Sequence, residues 1–96
     1  MYTIQQTHKF SQWLIKLKDI RARIAIVRRL ERAQSGNLGD VKSVGESVFE
    51  MRVDMGPGYR LYYKMRENEL IILLVGGDKS TQQRDIEKAI EMAKEI

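Results

Sequence analysis

The sequence predicts an α+β domain: a mostly antiparallel sheet, a helical hairpin near the N-terminus packed on one sheet face, and a single C-terminal helix. Three observations carry this. Over Ser47–Met55, apolar Phe49, Met51, Val53 and Met55 alternate with charged Glu50, Arg52 and Asp54; Leu61, Tyr63 and Met65 then alternate with Arg60, Tyr62 and Lys64. That is strand periodicity, with one face for the core and one face charged. Gly56-Pro57-Gly58 separates the two runs, a reversal in which proline sets φ and the glycines accept positive φ. On either side of this block, apolar residues recur at three- and four-residue spacing, the signature of amphipathic helices.

In order, Tyr2 to Gln6 is a short strand. Thr7 caps a first helix carrying Phe10, Trp13, Leu14 and Leu17 on one side. This register makes Trp13 a core residue rather than a stacking platform, and His8 a surface residue. Asp19 caps a second helix to about Ser35, joined with almost no loop, so the pair forms a helical hairpin. Ile20, Ile24 and Val27 make one apolar row on it, Ala22, Ile26, Leu30 and Ala33 another, and arginines fill the remaining sector. Gly36 is the expected C-cap, and Ser35–Glu46 is expected to be a glycine-bearing loop. After the hairpin of strands, Arg66-Glu67-Asn68-Glu69 turns the chain. Leu70–Val75 is wholly apolar, as in a strand buried on both faces. Gly76-Gly77-Asp78-Lys79 is expected to be a second turn. Ser80 with Gln83 fits a capping box for the last helix, striped by Ile86, Ala89, Ile90 and Ala93. The predicted order is therefore β-α-α-β-β-β-α.

Ninety-six residues make one domain, 1–96, able to bury roughly 60–70% of its unfolded surface. There is no cysteine and one histidine, which excludes disulfides and cysteine-based or multi-histidine metal sites; no metal or cofactor is expected. The start, MYTIQQTHKF, lacks the apolar stretch of a signal peptide, and no apolar run approaches membrane-spanning length. A cytoplasmic chain with no membrane partner is expected. The net charge of +4 is uneven: His8–Arg32 holds eight basic and two acidic residues, and the remainder nets −2. Such a field favours a polyanion or an acidic protein, although a solvated helix face produces the same pattern.

Two stretches carry a resemblance: GNLGDVKSVGESVFEMRVDMGPGYRLYYK, Gly36–Lys64, and LLVGGDKSTQQRDIEKAIEMA, Leu73–Ala93. With this size and element order they resemble the RelE/ParE superfamily of type II toxin–antitoxin toxins. The phrases GPGYRLYY and GGDKSTQ-RDI-KA are similar to the HigB-like, phage-related addiction module killer branch. The resemblance implies a RelE-like fold and a toxin that cuts messenger RNA on the ribosome, without metal, and so inhibits translation. It equally admits a ParE-like, non-enzymatic gyrase inhibitor, or an antitoxin-binding relative without catalysis, because one fold hosts several activities. Its implied partners are a cognate antitoxin, of a helix-turn-helix, HigA-like type, and the ribosome with its messenger RNA. Several RelE-like nucleases carry a tyrosine or histidine near the C-terminus; this chain ends in DIEKAIEMAKEI and has neither.

Metal-free RNA cleavage needs a 2′-hydroxyl aligned on phosphorus, compensation of the phosphorane charge, and a proton or cation at the leaving 5′-oxygen. Arg60, on the charged strand face beside Arg52, is the first candidate; the resemblance assigns an arginine on this strand to the scissile phosphate. Its structural alternative is an ion pair with Glu50 or Asp54. Lys79, at the mouth of the last helix, matches a basic catalytic position of the family, or is a plain turn lysine. Arg52 supports the phosphate or pairs with Glu50. Tyr62 stacks a base or covers the sheet. Lys42, Lys64 and Arg66 steer RNA, and Arg21 and Arg28 of the basic hairpin grip ribosomal RNA through phosphates. Glu50 and Asp54 are general-base candidates, or orient the arginines.

Overall fold

The computed structural model describes residues 1–96. The elements are β1 (Thr3–Gln6), α1 (His8–Lys16), α2 (Ile20–Gln34), β2 (Val41–Gly45), β3 (Val48–Val53), β4 (Tyr59–Arg66), β5 (Leu70–Asp78), one 3₁₀ turn (Lys79–Thr81) and α3 (Gln82–Glu95). One sheet runs β1-β5-β4-β3-β2; β1 is parallel to β5 and every other neighbour is antiparallel.

The helix starts follow their sequence signals. The Thr7 hydroxyl accepts from Phe10 N at 3.1 Å, and the Asp19 carboxylate from Arg21 N at 2.9 Å. Each satisfies a backbone N–H that has no partner within its helix. Gly36, at φ +110°, closes α2 as expected. The turn after β4 places Glu67 and Asn68 at φ near +55°, and Glu69 N bonds Arg66 O. This is the primed turn whose twist matches its strands.

Period-two alternation then sorts side chains into two cores. On one face Met51, Val53, Leu61, Tyr63, Ile71 and Leu73 pack against Phe10, Ala22, Ile26, Leu30 and Ala33. On the other, Val48, Tyr62, Ile72, Leu74 and Val75 pack against Ala89 and Ala93 of α3. A bulge opposite Tyr62 and Tyr63 turns both Leu74 and Val75 toward α3. The expected charged face is therefore only partly free, because α3 lies over half of it.

Four further expectations change. The loop Ser35–Glu46 contains a strand, β2, whose edge position and weak alternation hide it. Gly76, Gly77 and Asp78 continue β5 rather than turning. A Cβ on Gly76 would lie 2.3 Å from the Trp13 ring, and one on Gly77 1.9 Å from the Asp85 carboxylate. These glycines are there for close approach of helices to a strand. No Ser80–Gln83 box forms: Asp78 accepts from Ser80 N at 2.8 Å and Gln83 bonds Glu87. Lastly, of the two apolar rows on α2 only Ala22, Ile26, Leu30 and Ala33 is buried; Ile20, Ile24 and Val27 face outward.

Candidate functional site

Sheet register decides which charged side chains meet. Lys42, Glu50 and Tyr62 form one rung across β2, β3 and β4; Arg52, Arg60 and Gly77 form another across β3, β4 and β5. Partners on a rung project on the same face, so Lys42, Glu50, Arg52, Tyr62 and Arg60 share the α3 side of the sheet.

Glu50 is the centre of this group. It has no solvent exposure. Its carboxylate lies 3.2 Å from Arg52 Nε and 3.5 Å from Arg60 Nε. It also accepts from Gln82 Nε2 at 2.9 Å and, at the long distance of 3.5 Å, from the Tyr62 hydroxyl. A buried carboxylate persists only when paired and hydrogen-bonded. Glu50 is so enclosed that it orients the arginines and is not placed to take a proton from a substrate.

Arg60 follows directly from the Gly56–Gly58 turn. Its Nη1 donates to Gly58 O at 2.9 Å, and Gly58 itself sits at φ +80°. The turn thus clamps the guanidinium from one side and Glu50 from the other. Nε is buried without an aligned acceptor. Eleven per cent of the Arg60 side chain remains exposed, against 42% for Arg52. Of the two readings of Arg60, the geometry shows the pairing with Glu50.

Asp78, opposite Tyr59 on the next rung, ends β5 beside Arg60. Its hydrogen bonds from Ser80, with Arg60 nearby, hold the carboxyl below the usual range. The carboxylate occupies the N-terminus of the 3₁₀ turn, where it accepts from Ser80 N. Lys79 is exposed in that turn, at the same end of the sheet as Arg60.

Other candidates separate from this cluster. Tyr62 is fully buried beneath α3, so it covers the sheet and does not stack a base. Burial first, and the Glu50 charge second, push its phenol well above its ordinary pKa. Lys64 Nζ donates to Ala93 O at 3.0 Å and Arg66 Nη2 to Ile96 O at 2.6 Å. Both cations sit at the C-terminus of α3, where free carbonyls and the helix dipole favour them. Arg21, Arg28 and Arg32 of α2 line an open cleft of about 1050 Å³ with Asp40, Arg52 and Asp54. Asp54 thus lies with the helical arginines rather than with Glu50.

Two contributors were not singled out in the sequence. Gln82 begins α3, and only the docking of that helix brings it to Glu50. Arg29 is 5% exposed; it donates through Nε to Arg52 O at 3.1 Å and through Nη2 to Leu38 O. Burial, then the Arg32 charge, lower its pKa. It pins β3 and the preceding loop behind Arg52. An arginine inside a basic helix carries no sequence mark of this duty.

No group of histidine, cysteine or acidic residues here is arranged to hold a metal ion, and no helix is long and apolar enough to cross a membrane.

Residues 12–96 match the family described as phage derived protein Gp49-like (DUF891). An uncharacterised protein of Haemophilus influenzae is 50% identical over 93 residues, 97% of this chain and 94% of its own. The chain belongs to the Gp49-like family. Its fold is that of the RelE toxins. It superposes on the isolated Escherichia coli RelE toxin with a TM-score of 0.67 at 14% identity, over 92% of this chain and 98% of that one. It matches the intact E. coli RelBE toxin–antitoxin complex at 0.65 and 13%, over 81% and 96%. The Mycobacterium tuberculosis RelBE2 toxin–antitoxin complex matches at 0.61 and 21%, over 81% and 98%.

Proposed function

We propose that the chain is the toxin of a type II toxin–antitoxin pair and cuts messenger RNA on the ribosome without a metal ion. The observation that supports this is the placement of Arg60: a guanidinium held between a buried carboxylate and a turn carbonyl, next to Arg52 and Lys42 on one sheet face. The RelE-like fold and the phage-derived family agree with it.

In this reading the 2′-oxygen of a nucleotide attacks the adjacent phosphorus, and the P–O5′ bond breaks. The products are a 2′,3′-cyclic phosphate and a 5′-hydroxyl. Arg60 and Arg52 offset the charge that grows on the phosphorane oxygens, where charge-assisted hydrogen bonds are strong. The 2′-hydroxyl gives up its proton to water, and the Lys79 ammonium donates one to the departing 5′-oxygen and regains it from solvent. Glu50 keeps the arginines in place. The ribosome aligns the 2′-hydroxyl, and such alignment substitutes for a strong general base. The partners are then the ribosome, messenger RNA and a cognate antitoxin of HigA-like, helix-turn-helix type, all in the cytoplasm.

The test is induction of the chain in cells, with messenger RNA 5′ ends mapped in the first minutes. New ends inside coding regions, lost in Arg60→Ala and Arg60→Lys and absent when translation is stopped, support the nuclease. Arg60→Lys keeps a cation against Glu50, so its loss of activity is not a folding effect. Growth arrest with intact messages and DNA breaks moves the target to gyrase. No arrest leaves an antitoxin-binding protein without catalysis.

A further inference from the structure

A small pocket opens where β5 runs on past its parallel partner. β1 pairs with β5 only as far as Leu73, and Thr7 closes that join, donating its N–H to Leu73 O and its hydroxyl to Leu74 O. Beyond it no strand covers this edge of β5, and α1 and α3 flank it. The space, about 340 Å³, is lined by Val75, Gly76 and Trp13 and by three cations, Lys9 from α1 with Arg84 and Lys88 from α3. Cations that folding brings together repel one another, and the chain does little to offset them. Neither Lys9 nor Arg84 has an ion-pair partner; Lys88 reaches only Glu91, at 3.9 Å with both ends exposed, a pairing worth little in water. The one acid on the lining, Asp85, accepts from the Thr81 hydroxyl and lies against Gly77.

Charge and shape decide what fits. A metal ion would be repelled. An acidic amphipathic helix would bring a row of apolar side chains, and the pocket offers that row only Trp13 and Val75. A phosphodiester answers the cations with charge-assisted hydrogen bonds. Its sugar and base then have the bare backbone of Gly76 and the Trp13 ring to lie on, as the unpaired bases of a single strand can. A strand also carries its next phosphate along the sheet. Gly77, beside the pocket, is the cross-strand partner of Arg60, about 5 Å away across the ladder.

We propose that this pocket seats a phosphodiester of a single-stranded nucleic acid, held by Lys9, Arg84 and Lys88 at the uncovered edge of β5. That the strand is RNA and runs on to Arg60 rests on the nuclease reading; the chemistry of the pocket does not.

The experiment is a titration of the whole chain with a single-stranded RNA of roughly eight nucleotides. It is read by the emission of Trp13, the one tryptophan of the chain, and by amide NMR shifts. The expected result is a saturable change at Trp13 with shifts centred on Lys9, Gly76 and Lys88. Lys9→Gln and Arg84→Gln, both at exposed positions that tolerate the loss, should each weaken binding about threefold or more. Each should also lower the slope of log affinity against log salt by roughly one. A DNA strand of the same sequence separates the sources: equal binding supports the phosphodiester as the shared ligand, and binding of RNA alone supports it with the 2′-hydroxyl read as well. Inorganic phosphate that changes Trp13 as tightly as RNA overturns the proposal. So does a glutamate-rich peptide that does the same, which gives the pocket to an acidic protein segment. Shifts centred elsewhere, or RNA binding that Lys9→Gln and Arg84→Gln leave unaltered, also overturn it. No cell assay enters, so failure here leaves the mapped 5′ ends to decide the nuclease reading, and intact messages in cells leave the pocket's ligand untouched.

Discussion

A carboxylate with no solvent exposure in the middle of a sheet is costly unless its charge is matched, and Glu50 meets its matching groups on three sides: Arg52, Arg60, and the Gln82–Tyr62 pair. Removing one partner of such a group is more damaging than never having had it. Glu50→Gln keeps the volume but leaves Arg52 and Arg60 opposite each other with nothing between them, a like-charge rung. The expected loss is about 3 kcal/mol in urea unfolding, and Arg52→Gln added to it should restore part of that loss. Strict additivity of the two substitutions would contradict the arrangement. Tyr62 gives a second handle. Its phenol is raised by burial and by Glu50, so the unfolded chain loses that proton first, near pH 10. The contribution is fully present below that pH and is lost as pH rises above it. Stability should therefore fall through the alkaline range by up to about 1.4 kcal/mol per pH unit for this group. Tyr62→Phe should flatten the slope, measured as unfolding free energy against pH.

The elements differ in how openly the sequence announces them. The β3–β4 hairpin was legible because alternation, the Gly56–Gly58 turn and the charged partners agree, and the register that pairs Arg52 with Arg60 follows from that turn. Helices α1 and α2 declared their caps through Thr7 and Asp19. β2 did not declare itself, since an edge strand of five residues needs little apolar patterning. Gly76 and Gly77 misled for a physical reason: a glycine that admits a neighbour and a glycine that bends the chain look alike in one dimension. The site was half legible. Arg60 and Arg52 emerged from strand parity, whereas the seat of Lys42 beside Glu50 depends on the undeclared β2, and the roles of Gln82, Lys64 and Arg66 depend on where α3 lands, which is a tertiary fact. The close approach can be tested. Gly76→Ala places a methyl group against the Trp13 ring and should cost about 1–3 kcal/mol by overpacking, read as a lower Tm. Trp13→Leu in the same chain should recover some of it. A Gly76→Ala protein as stable as the parent would mean that α1 rides loosely on β5.

At the scale of the whole molecule, the two ends of the charge distribution have different work. Arg21, Arg28 and Arg32 of α2 face an open cleft and hold no carboxylate partners, while Arg60 is mostly covered and engaged with Glu50. Exposed cations bind a polyanion by releasing its counterions, which makes binding steeply salt-dependent. A covered, aimed cation contributes little to that term and much to charge that develops in a transition state. On the proposed nuclease reading, binding to ribosomes measured between low and physiological salt should weaken steeply. Arg21→Gln and Arg28→Gln should each reduce the slope of log affinity against log salt by roughly one. Arg60→Lys should leave that slope unchanged while abolishing cleavage. If instead Arg60→Lys altered the salt slope and the α2 substitutions did not, the roles would be exchanged: the sheet face would be the docking surface, and the helical cleft would need another ligand.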